Sequence, residues 1–476
     1  MGLTLSTLAV FICIAILNAL VIPRKWREWV LFVLSVVFVY SLQPDIFVRW
    51  LDFTFPTFTL GLIILCWYVT RSSEQMFTQE DRISIAIAAV LIVALALFRY
   101  IPVEYDWLLA SRPPPLWLVL SLLGMFGVLM SVSHRKRSVL AILLIGIITI
   151  FVVLKTEFFA TAVSASIRGF FSQDVSQAQA IDLNWLGFSY VAFRLLHMIR
   201  DRQVGVLPEI RLRDAVTYVA FFPSFTAGPI DRIERFQEDL RPGKEIDYAK
   251  QFTTGLTRIA VGVAKKFIIA DTLALGMSLN AITATQADSS IGMWILLYGY
   301  ALRLYFDFSG YSDIAIGVGM LFGINLPENF ARPYTRTSIT AFWQSWHITL
   351  SDWVRTYIFS PLSRWLLKRR PKPSPMLIVL TTQVTTMLII GLWHGVTINF
   401  FVWGLWHGIG LFVHKQYTDR TRKFYRELKT QPLRQRCADF VAWLLTFHFV
   451  VLSWVWFVIP DFDSAMAIFA IVFGMG

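Results

Sequence analysis

The chain has 476 residues, of which 56% are hydrophobic and only 16% are charged. Water-soluble globular proteins carry about 25% charged residues, so this composition argues against an ordinary soluble protein and indicates one surrounded by lipid. The formal net charge of +12 could point to a nucleic-acid partner. Lys and Arg are, however, concentrated in loops between apolar segments, as in the cytoplasmic loops of membrane proteins, and we therefore predict no nucleic-acid partner.

Apolar segments recur along the chain, and a bilayer crossing needs about 20 mostly apolar residues. They predict an all-α integral membrane protein with roughly eleven or twelve passes or half-passes. Residues 3–22 lack the basic start and the cleavage site of a secretory signal, so we expect a retained first helix. The predicted passes are 3–22, 29–43, 53–70, 83–101, 116–133, 139–160, 183–199, 255–275, 291–323, 376–398, 400–413 and 440–459.

The loops between these passes differ in their content of Lys and Arg. When the passes are threaded alternately, all basic loops fall on one side and all basic-poor loops on the other. The excess of Lys and Arg predicts that the basic side is cytoplasmic and that the N-terminus lies outside. The basic loops are 24–28, 135–137, 200–213, 364–372 and 415–436, and the basic-poor loops are 102–115, 165–182 and 276–290.

The polar residues predict three parts of the chain. Residues 1–182 form plain apolar passes and are expected to be a supporting wall. Residues 183–460 carry Arg, His, Asp, Asn and Pro inside or beside the passes. Polar groups at membrane depth are costly and usually line a cavity or a bundle interior, so this part is predicted to hold the chemistry. Residues 461–476 form a C-terminal segment.

Two stretches are too polar for plain passes. Residues 232–254 mix charges with apolar side chains and predict a cytoplasmic amphipathic helix, broken at Pro242-Gly243. Residues 338–360 have apolar side chains at helical spacing, and Ser338 is suited to cap the start. We expect this second stretch to be a helix at the membrane interface.

The pentapeptide GLWHG occurs twice in the apolar stretch 391–408, which reads GLWHGVTINFFVWGLWHG. On one continuous helix, His394 and His407 would lie about 20 Å apart and could not share one reacting atom. Thr397 and Asn399 between the copies suggest a break or turn. One copy is therefore expected to be reactive and the other structural. The paired glycines let a neighbouring helix or a substrate come close.

Two further histidines are predicted to have structural roles, and the cysteines are predicted to bind no metal. We expect His448 to be packed and hydrogen-bonded to a backbone carbonyl. His197 shares a helix face with Arg194, which favours a structural hydrogen-bond network. No metal site is predicted, because the cysteines have neither metal-binding nor disulfide spacing. The three cysteines are Cys13, Cys66 and Cys437.

Several long strings of the second part resemble the membrane-bound O-acyltransferase (MBOAT) family, specifically its bacterial branch with alginate O-acetyltransferase and teichoic-acid D-alanyl transferase. The resemblance covers about residues 183–460 and implies a ring of tilted helices around a thin centre, where a funnel meets a narrow tunnel near the histidines. The strings are FFPSFTAGPIDR (221–232), TRIAVGVAKKFIIADTLA (257–274), LYFDFSGYSDIAIGVGMLFGINLPENFARPY (304–334), FWQSWHITLSDWVRTYIFSPL (342–362), GLWHGVTINFFVWGLWHG (391–408) and, more weakly, LNWLGFSYVAFRLLHMIRD (183–201).

The resemblance implies that His394, in the first GLWHG, is the essential histidine and that His347, in WHITLS, is the second. His407 is expected to be a supporting residue. The chain departs from its relatives at Thr356, where they often have Asp, which affects the expected donor contacts. Candidate substrate-binding residues are Trp393, Asn399, Trp346, Arg355 and Tyr357. Candidate supporting residues are Asp307, Ser309, Tyr311 and Asp313, for which a structural role as polar links between helices is the favoured alternative.

The chemistry of acyl transfer from a thioester to a hydroxyl fits these residues. It needs a base beside the alcohol and stabilisation of an oxyanion, and a neutral histidine is a suitable base. Burial among aromatic rings disfavours the imidazolium form of His394. His347 is expected to orient the donor or to donate to the oxyanion. No Ser or Cys nucleophile stands at motif spacing from a base, which favours direct transfer over an acyl-enzyme.

The sequence therefore predicts an O-acyltransferase of the bacterial plasma membrane. We expect it to move an acyl group, most simply acetyl, from a cytoplasmic thioester to a hydroxyl of an exported cell-envelope polysaccharide. The expected donor is acetyl-CoA or an acyl-carrier protein, and no bound cofactor is predicted. Expected partners are membrane lipid, donor, acceptor polymer and other subunits of an acylation complex. Alternatives are D-alanyl transfer to teichoic acid, a transporter or flippase, and a non-catalytic subunit of an export complex.

Overall fold

The regular structure is entirely helical in the part of the chain that the structure, a computed structural model, describes. The predicted all-α fold is confirmed there. The predicted pass 116–133, the loop 102–115 and the break at Pro242-Gly243 lie largely or wholly outside this part. The described residues are 4–44, 46–72, 75–100, 119, 121–124, 127, 136–241, 247–287, 289–428 and 430–475.

The chain divides into two compact units, the first comprising Met1–Ile259 with Ala315–Leu326 and the second Ala260–Ile314 with Pro327–Gly476. The predicted boundary at 182/183 is a different division and stays a prediction. The described helices that lie wholly within the first unit are Leu5–Leu20, Arg24–Ser41, Leu51–Thr70, Gln79–Leu97, Lys136–Lys155, Glu157–Phe170, Phe188–Val204, Leu212–Val219 and Ile233–Leu240.

The second unit contains every candidate site residue. The chain passes between the units within the helices Tyr248–Val263 and Ser290–Leu321 and again between Leu326 and Pro327. A π-helical segment, Ala264–Ala270, continues the first of these two helices. The other helices of this unit are Asp271–Ala274, Ala281–Thr285, Ile339–Trp343, Ile348–Val354, Ser360–Leu367, Pro375–His394, Ile398–Leu428, Pro432–Val458 and Phe462–Val472.

A buried polar link stabilises the first unit. Asp182 accepts hydrogen bonds from the guanidinium of Arg168 at 2.8 Å and from the hydroxyl of Ser164 at 2.6 Å. All three side chains are buried. Close by in sequence, the ring of Trp185 stacks on Phe55 with 4.6 Å between centroids. The buried carboxylate thus has hydrogen-bond partners that offset the cost of removing the ion pair from water.

Four described helices are long and apolar enough to cross a membrane. They are Leu51–Thr70, Ser138–Lys155, Pro375–His394 and Pro432–Val458. Two shorter apolar helices, Leu5–Leu20 and Phe462–Val472, have compatible composition. These segments support a membrane protein, while the larger number of passes stays a prediction.

The predicted break between the two GLWHG copies is confirmed. One helix ends at His394 and the next begins at Ile398. The two helices pack against each other through glycines, because a Cβ on Gly391 would lie 2.3 Å from the carbonyl oxygen of Phe400. A Cβ on Gly404 would likewise lie 2.7 Å from the carbonyl oxygen of Met387. The glycines therefore permit close helix packing, as the sequence suggested.

Two expectations about polar stretches are wrong in detail. Residues 338–360 do not form one helix, because Ile339–Trp343 and Ile348–Val354 are separated at His347, whose φ of +43° is left-handed. A π-helical segment, Arg355–Phe359, follows. The predicted basic loop 415–436 is mostly helical, since the helix that begins at Ile398 continues to Leu428. Most of the Lys and Arg residues of this segment therefore lie on a helix and not in a loop.

Candidate functional site

His347 is held in an unusual backbone conformation between two short helices. Its φ of +43° and ψ of 54° are in the left-handed region, which non-glycine residues adopt rarely but His, Asn and Asp adopt more often than others. The side chain is 2% exposed. Its ring meets Phe308 edge-on with 4.8 Å between centroids. The conformation directs a polar ring into an apolar interior, which is costly unless its nitrogens have partners or a function.

One nitrogen of His347 has a partner in Asn329. The Nδ1 atom lies 3.1 Å from Oδ1 of Asn329. The same oxygen accepts hydrogen bonds from the backbone N–H of Thr349 at 3.3 Å and from its hydroxyl at 2.9 Å. The Nε2 atom of His347 is buried and has no hydrogen-bond partner among the described residues. Within the part of the chain that the structure describes, this imidazole therefore has one nitrogen hydrogen-bonded and one nitrogen without a protein partner.

The ring of Trp393 lies close to both histidines that were predicted to be catalytic. Its ring centroid is 6.1 Å from that of His347 and 4.5 Å from that of His394. The two imidazole centroids are therefore no farther apart than the sum of these distances. The structure thus brings together two residues that are 47 positions apart in the sequence.

His394 is half-buried at the last position of the helix Pro375–His394. Its ring contacts Trp403 edge-on at 5.6 Å and Phe457 edge-on at 4.7 Å between centroids. It also stacks on Phe400 at 5.8 Å. The helix end places the imidazole at the break in the chain, surrounded by aromatic rings but not sealed from the exterior.

His407, in the second GLWHG copy, is different because both of its nitrogens have partners. The indole N–H of Trp343 donates to Nδ1 at 3.3 Å. The Nε2 atom lies 2.9 Å from the hydroxyl oxygen of Ser453, whose own hydrogen goes to the carbonyl of Val450 at 2.6 Å. Nε2 must therefore carry the proton and donate it. The side chain is 0% exposed, and this arrangement fits the supporting role that was predicted.

Two candidate substrate contacts are largely committed to the protein interior. Trp346 is 5% exposed, and its ring packs on Phe330 and Trp454 with 5.2 Å between centroids in each case. Asn399 is 2% exposed and donates its amide N–H to the carbonyl of Ile459 at 2.6 Å. Trp346 thus packs in the core of the second unit, and Asn399 anchors the end of the helix Pro432–Val458.

Arg355 and Tyr357 lie at a more open position. The Arg355 side chain is 66% exposed and forms an ion pair with Asp352 at 2.8 Å. Tyr357 is half-buried, and its ring lies 5.0 Å from that of Trp353. Both belong to the π-helical segment Arg355–Phe359, and π-helical turns are frequent at functional sites. Because an exposed ion pair contributes little, this cation can exchange Asp352 for an anionic ligand.

The candidate acidic residues form ion pairs with two lysines. Asp307 lies 2.5 Å from the ammonium group of Lys266, and Asp313 lies 2.6 Å from that of Lys265. The lysines belong to the π-helical segment, which packs tightly on the helix of the aspartates. A Cβ on Gly310 would lie 2.8 Å from the carbonyl oxygen of Gly262. The pairs support the alternative that these carboxylates are structural.

The remaining supporting candidates, Ser309 and Tyr311, are both buried. Sequence reasoning did not single out Asn329 or the two lysines. Adjacent lysines in an apolar stretch were a usable signal, because charges at membrane depth need partners. Asn329 had no such signal: it is one residue of the string LPENFARPY, and its contact with His347 depends on the fold.

Two histidines outside the site have structural partners. His448 lies with Nδ1 2.8 Å from the carbonyl oxygen of Leu444, which confirms its prediction. In the first unit, the backbone N–H of Ile233 donates to Nε2 of His197 at 3.4 Å. Nδ1 of His197 lies 3.5 Å from Asp201, which agrees with a hydrogen-bond network. His197, Asp201 and Glu234 also bring three ligand atoms within 4.8 Å of one another.

Comparison with known proteins gives one family. The family model for MBOAT, the membrane-bound O-acyltransferase family, matches residues 140–456. This match begins before the first of the strings noted in the sequence. The peptidoglycan O-acetyltransferase of Helicobacter pylori is 37% identical over 259 residues, 54% of this chain and 45% of the relative. The teichoic acid D-alanyltransferase of Bacillus subtilis is 32% identical over 271 residues, 56% of this chain and 67% of the relative. The "Probable alginate O-acetylase" of Pseudomonas fluorescens is 35% identical over 292 residues, 61% of this chain and 54% of the relative.

Proposed function

The chain belongs to the membrane-bound O-acyltransferase family, and we propose that it transfers an acyl group from a thioester to a hydroxyl of a cell-envelope polymer. The proposed acyl group is acetyl, and the proposed donor is acetyl-CoA or an acyl-carrier protein on the cytoplasmic side. The acceptor is an exported polysaccharide. Relatives named as peptidoglycan and alginate O-acetylating enzymes support this choice, although the aligned part of the chain spans only about half of their lengths.

The observation that carries the proposal is the pair of imidazoles on Trp393. The imidazoles of His347 and His394 both lie close to the indole ring of Trp393, with 6.1 and 4.5 Å between centroids, and all three residues belong to one compact unit. Acyl transfer needs a group that takes a proton and groups that orient the carbonyl. Two histidines around one aromatic ring supply both functions within a short distance.

The proposed reaction is a direct transfer. An imidazole nitrogen takes the proton of the acceptor hydroxyl while the hydroxyl oxygen forms a bond to the thioester carbonyl carbon. The tetrahedral intermediate collapses, the C–S bond breaks, and the leaving thiolate receives the proton from the imidazolium. One ester and one thiol result from one thioester and one alcohol. The same imidazole takes up the proton and returns it, so histidine is sufficient for the proton transfers, and no covalent acyl-enzyme is needed.

Donor and acceptor are proposed to arrive from opposite faces of the membrane. A cytoplasmic thioester and an exported polymer are separated by the bilayer, and the family resemblance implies a ring of helices with two openings. The basic segments are proposed to face the cytoplasm because of the usual excess of Lys and Arg on that side. The exposed Arg355 is proposed to border the donor opening, since both CoA and carrier proteins are anionic.

D-alanyl transfer to teichoic acid is the second candidate. It is supported by the Bacillus subtilis relative and by a Streptococcus thermophilus relative with the same name, which is 32% identical over 286 residues. The same histidines would serve either acyl group, because both reactions join a hydroxyl to a thioester carbonyl. Supplying each donor separately to the purified protein distinguishes them.

The test compares purified His394→Ala and His347→Asn with the unmodified protein. Asn is chosen at position 347 because it tolerates the left-handed backbone. Radiolabelled acetyl-CoA is the donor, and alginate oligosaccharides or peptidoglycan fragments are the acceptors. We expect both variants to insert and fold but to transfer acetyl about 10²–10⁴-fold more slowly. His448→Ala, a histidine of the same unit outside the cluster, is the matched control and should stay active.

The outcome also separates the other functions. A transporter or an export-complex subunit would retain its polymer export when both histidines are replaced. If both variants transfer acetyl at the rate of the unmodified protein, the proposed site is wrong. If none of the proteins transfers acetyl but D-alanyl is transferred from a carrier protein, the acyl group is wrong and the site is retained.

A further inference from the structure

We infer that Asn329 is a positioning residue that fixes His347 in the tautomer whose Nε2 accepts the proton of the acceptor hydroxyl. This inference rests on the proposed acyl transfer and deepens it, because it assigns the proton-accepting atom to one of the two histidines. It also gives a chemical function to a fully buried asparagine, 0% exposed, that lies 18 positions before His347.

The orientation of the Asn329 amide is determined by its neighbours. The backbone N–H of Thr349 has only a hydrogen to offer, so the atom it approaches at 3.3 Å must be the amide oxygen. On the other side, the amide nitrogen of Asn329 donates to the hydroxyl oxygen of Ser312 at 3.2 Å. A flipped amide would place two donors against each other at Thr349. The oxygen therefore faces His347 without ambiguity.

The tautomer of His347 follows from that orientation. An amide oxygen cannot donate, so Nδ1 of His347 must carry the proton that is shared with Asn329 at 3.1 Å. In a neutral imidazole, the other nitrogen then has a lone pair and no hydrogen. Nε2 can accept a proton but cannot donate to an oxyanion. The expectation that neutral His347 donates to the oxyanion is therefore at odds with this geometry.

The local backbone keeps Asn329 and His347 in register. The N–H of Ile348 donates to the carbonyl of Asn329 at 2.9 Å, and the N–H of Ala331 donates to the carbonyl of Ser345 at 2.9 Å. These two bonds join the segment around Asn329 to the segment around His347 on both sides of the imidazole. The left-handed conformation of His347 is thus held by the structure around it. An orienting residue has to be fixed in this way to select one tautomer.

The contrast with His407 shows that the two fully buried histidines of this unit are arranged differently. His407 receives a hydrogen bond at Nδ1 from Trp343 and donates from Nε2 to Ser453, so its hydrogen-bonding capacity is used within the protein. His347 has only Nδ1 engaged, and its buried Nε2 has no partner within the described residues. A buried nitrogen with a lone pair and no protein partner is suited to a substrate hydroxyl.

The charged residues around His347 include three aspartates that form ion pairs and the exposed Glu328, which precedes Asn329. The helix that carries Phe308 and Ser312 also carries Asp307 and Asp313, which are paired with Lys266 and Lys265. On the segment after His347, Asp352 is paired with Arg355. His394, whose ring is 4.5 Å from that of Trp393, is a further titratable group. A carboxylate introduced at position 329 would lie at hydrogen-bond distance from Nδ1 of His347 and would act directly on its protonation.

The experiment compares Asn329→Asp and Asn329→Ala by kcat/KM against pH, with acetyl-CoA as donor and alginate oligosaccharides as acceptor. The Asp variant keeps an acceptor oxygen for Nδ1–H but adds a charge that favours the imidazolium. A base must be unprotonated to act, so the acidic limb should move to higher pH by about 1–3 units. The Ala variant should lose about 10–100-fold, the range for removing the orienting partner of a metal-bound histidine.

Ser312→Ala is the matched control. It removes the partner of the Asn329 amide nitrogen but leaves the oxygen toward His347, so it should lower activity less and leave the acidic limb in place. An Asp variant with an unmoved acidic limb, or an Ala variant with full kcat/KM, would overturn the inference. Failure of the proposed function looks different, because His347→Asn and His394→Ala would then retain acetyl transfer whatever the Asn329 variants do.

Discussion

Replacing His407 by alanine should separate stability from catalysis. The side chain is completely buried, and alanine at such a site removes a large group that the surroundings cannot fully refill, which costs about 2–5 kcal/mol. The indole N–H of Trp343 would lose its acceptor, and a buried unsatisfied donor costs about 1–3 kcal/mol more. The hydroxyl of Ser453 keeps its bond to the carbonyl of Val450 and adds little. The sum is about 3–8 kcal/mol.

The assay is thermal unfolding in detergent together with acetyl transfer per folded molecule. His407→Ala should unfold at a clearly lower temperature and accumulate poorly, while the folded fraction should keep transfer within about tenfold, since no base is removed. His407→Gln is the comparison, because its amide supplies one acceptor and one donor and should recover the 1–3 kcal/mol of the satisfied indole. A His407→Ala protein with unchanged stability and no activity would refute this explanation of the second GLWHG copy.

Three further outcomes are expected. Arg355→Glu should raise the KM for the thioester more than the KM for the acceptor, and equal increases would argue against a donor-side position. Gly404→Ala should lower the unfolding temperature, because its methyl would lie 2.7 Å from a carbonyl oxygen of the neighbouring helix, whereas Gly146→Ala has open space and should not. The exposed Cys437 should react with a membrane-impermeant maleimide only after cells are permeabilised, and labelling of intact cells would reverse the predicted orientation of the segment 415–436.

The sequence predicted the helices well wherever one kind of residue dominates. Long apolar runs form the helices Leu51–Thr70 and Pro375–His394. In an apolar medium the backbone N–H and C=O groups must bond to one another, and a helix satisfies them within one segment. The break after His394 was also foreseen from the polar residues that follow it. The division of residues 338–360 was not foreseen, because the left-handed backbone at His347 is stabilised by contacts with Asn329, a residue outside that stretch.

The candidate site was predicted in part. Chemistry and family resemblance selected His347, His394 and His407, and the structure brings the first two around Trp393. Sequence spacing could not reveal the partner of each ring nitrogen, since Asn329 and Trp343 reach the histidines only in the folded chain. Those partners are what distinguish an imidazole that is free to accept a proton from one that is fully hydrogen-bonded.

The antiparallel pairing of Pro375–His394 with Ile398–Leu428 has a consequence for the height of the protein above the bilayer. Val384 meets Gly408 and Met387 meets Gly404, and continuing this register to Pro375 leaves roughly twelve residues of the longer helix without a counterpart, about 18 Å. The shorter helix is long and apolar enough to cross the hydrocarbon layer, and we expect the projection then to exceed the headgroup zone of about 5–8 Å on each side. We therefore expect the cations of its last turn to lie about 10 Å beyond the headgroups, more than one Debye length of about 8 Å, where they attract soluble anions rather than phospholipids.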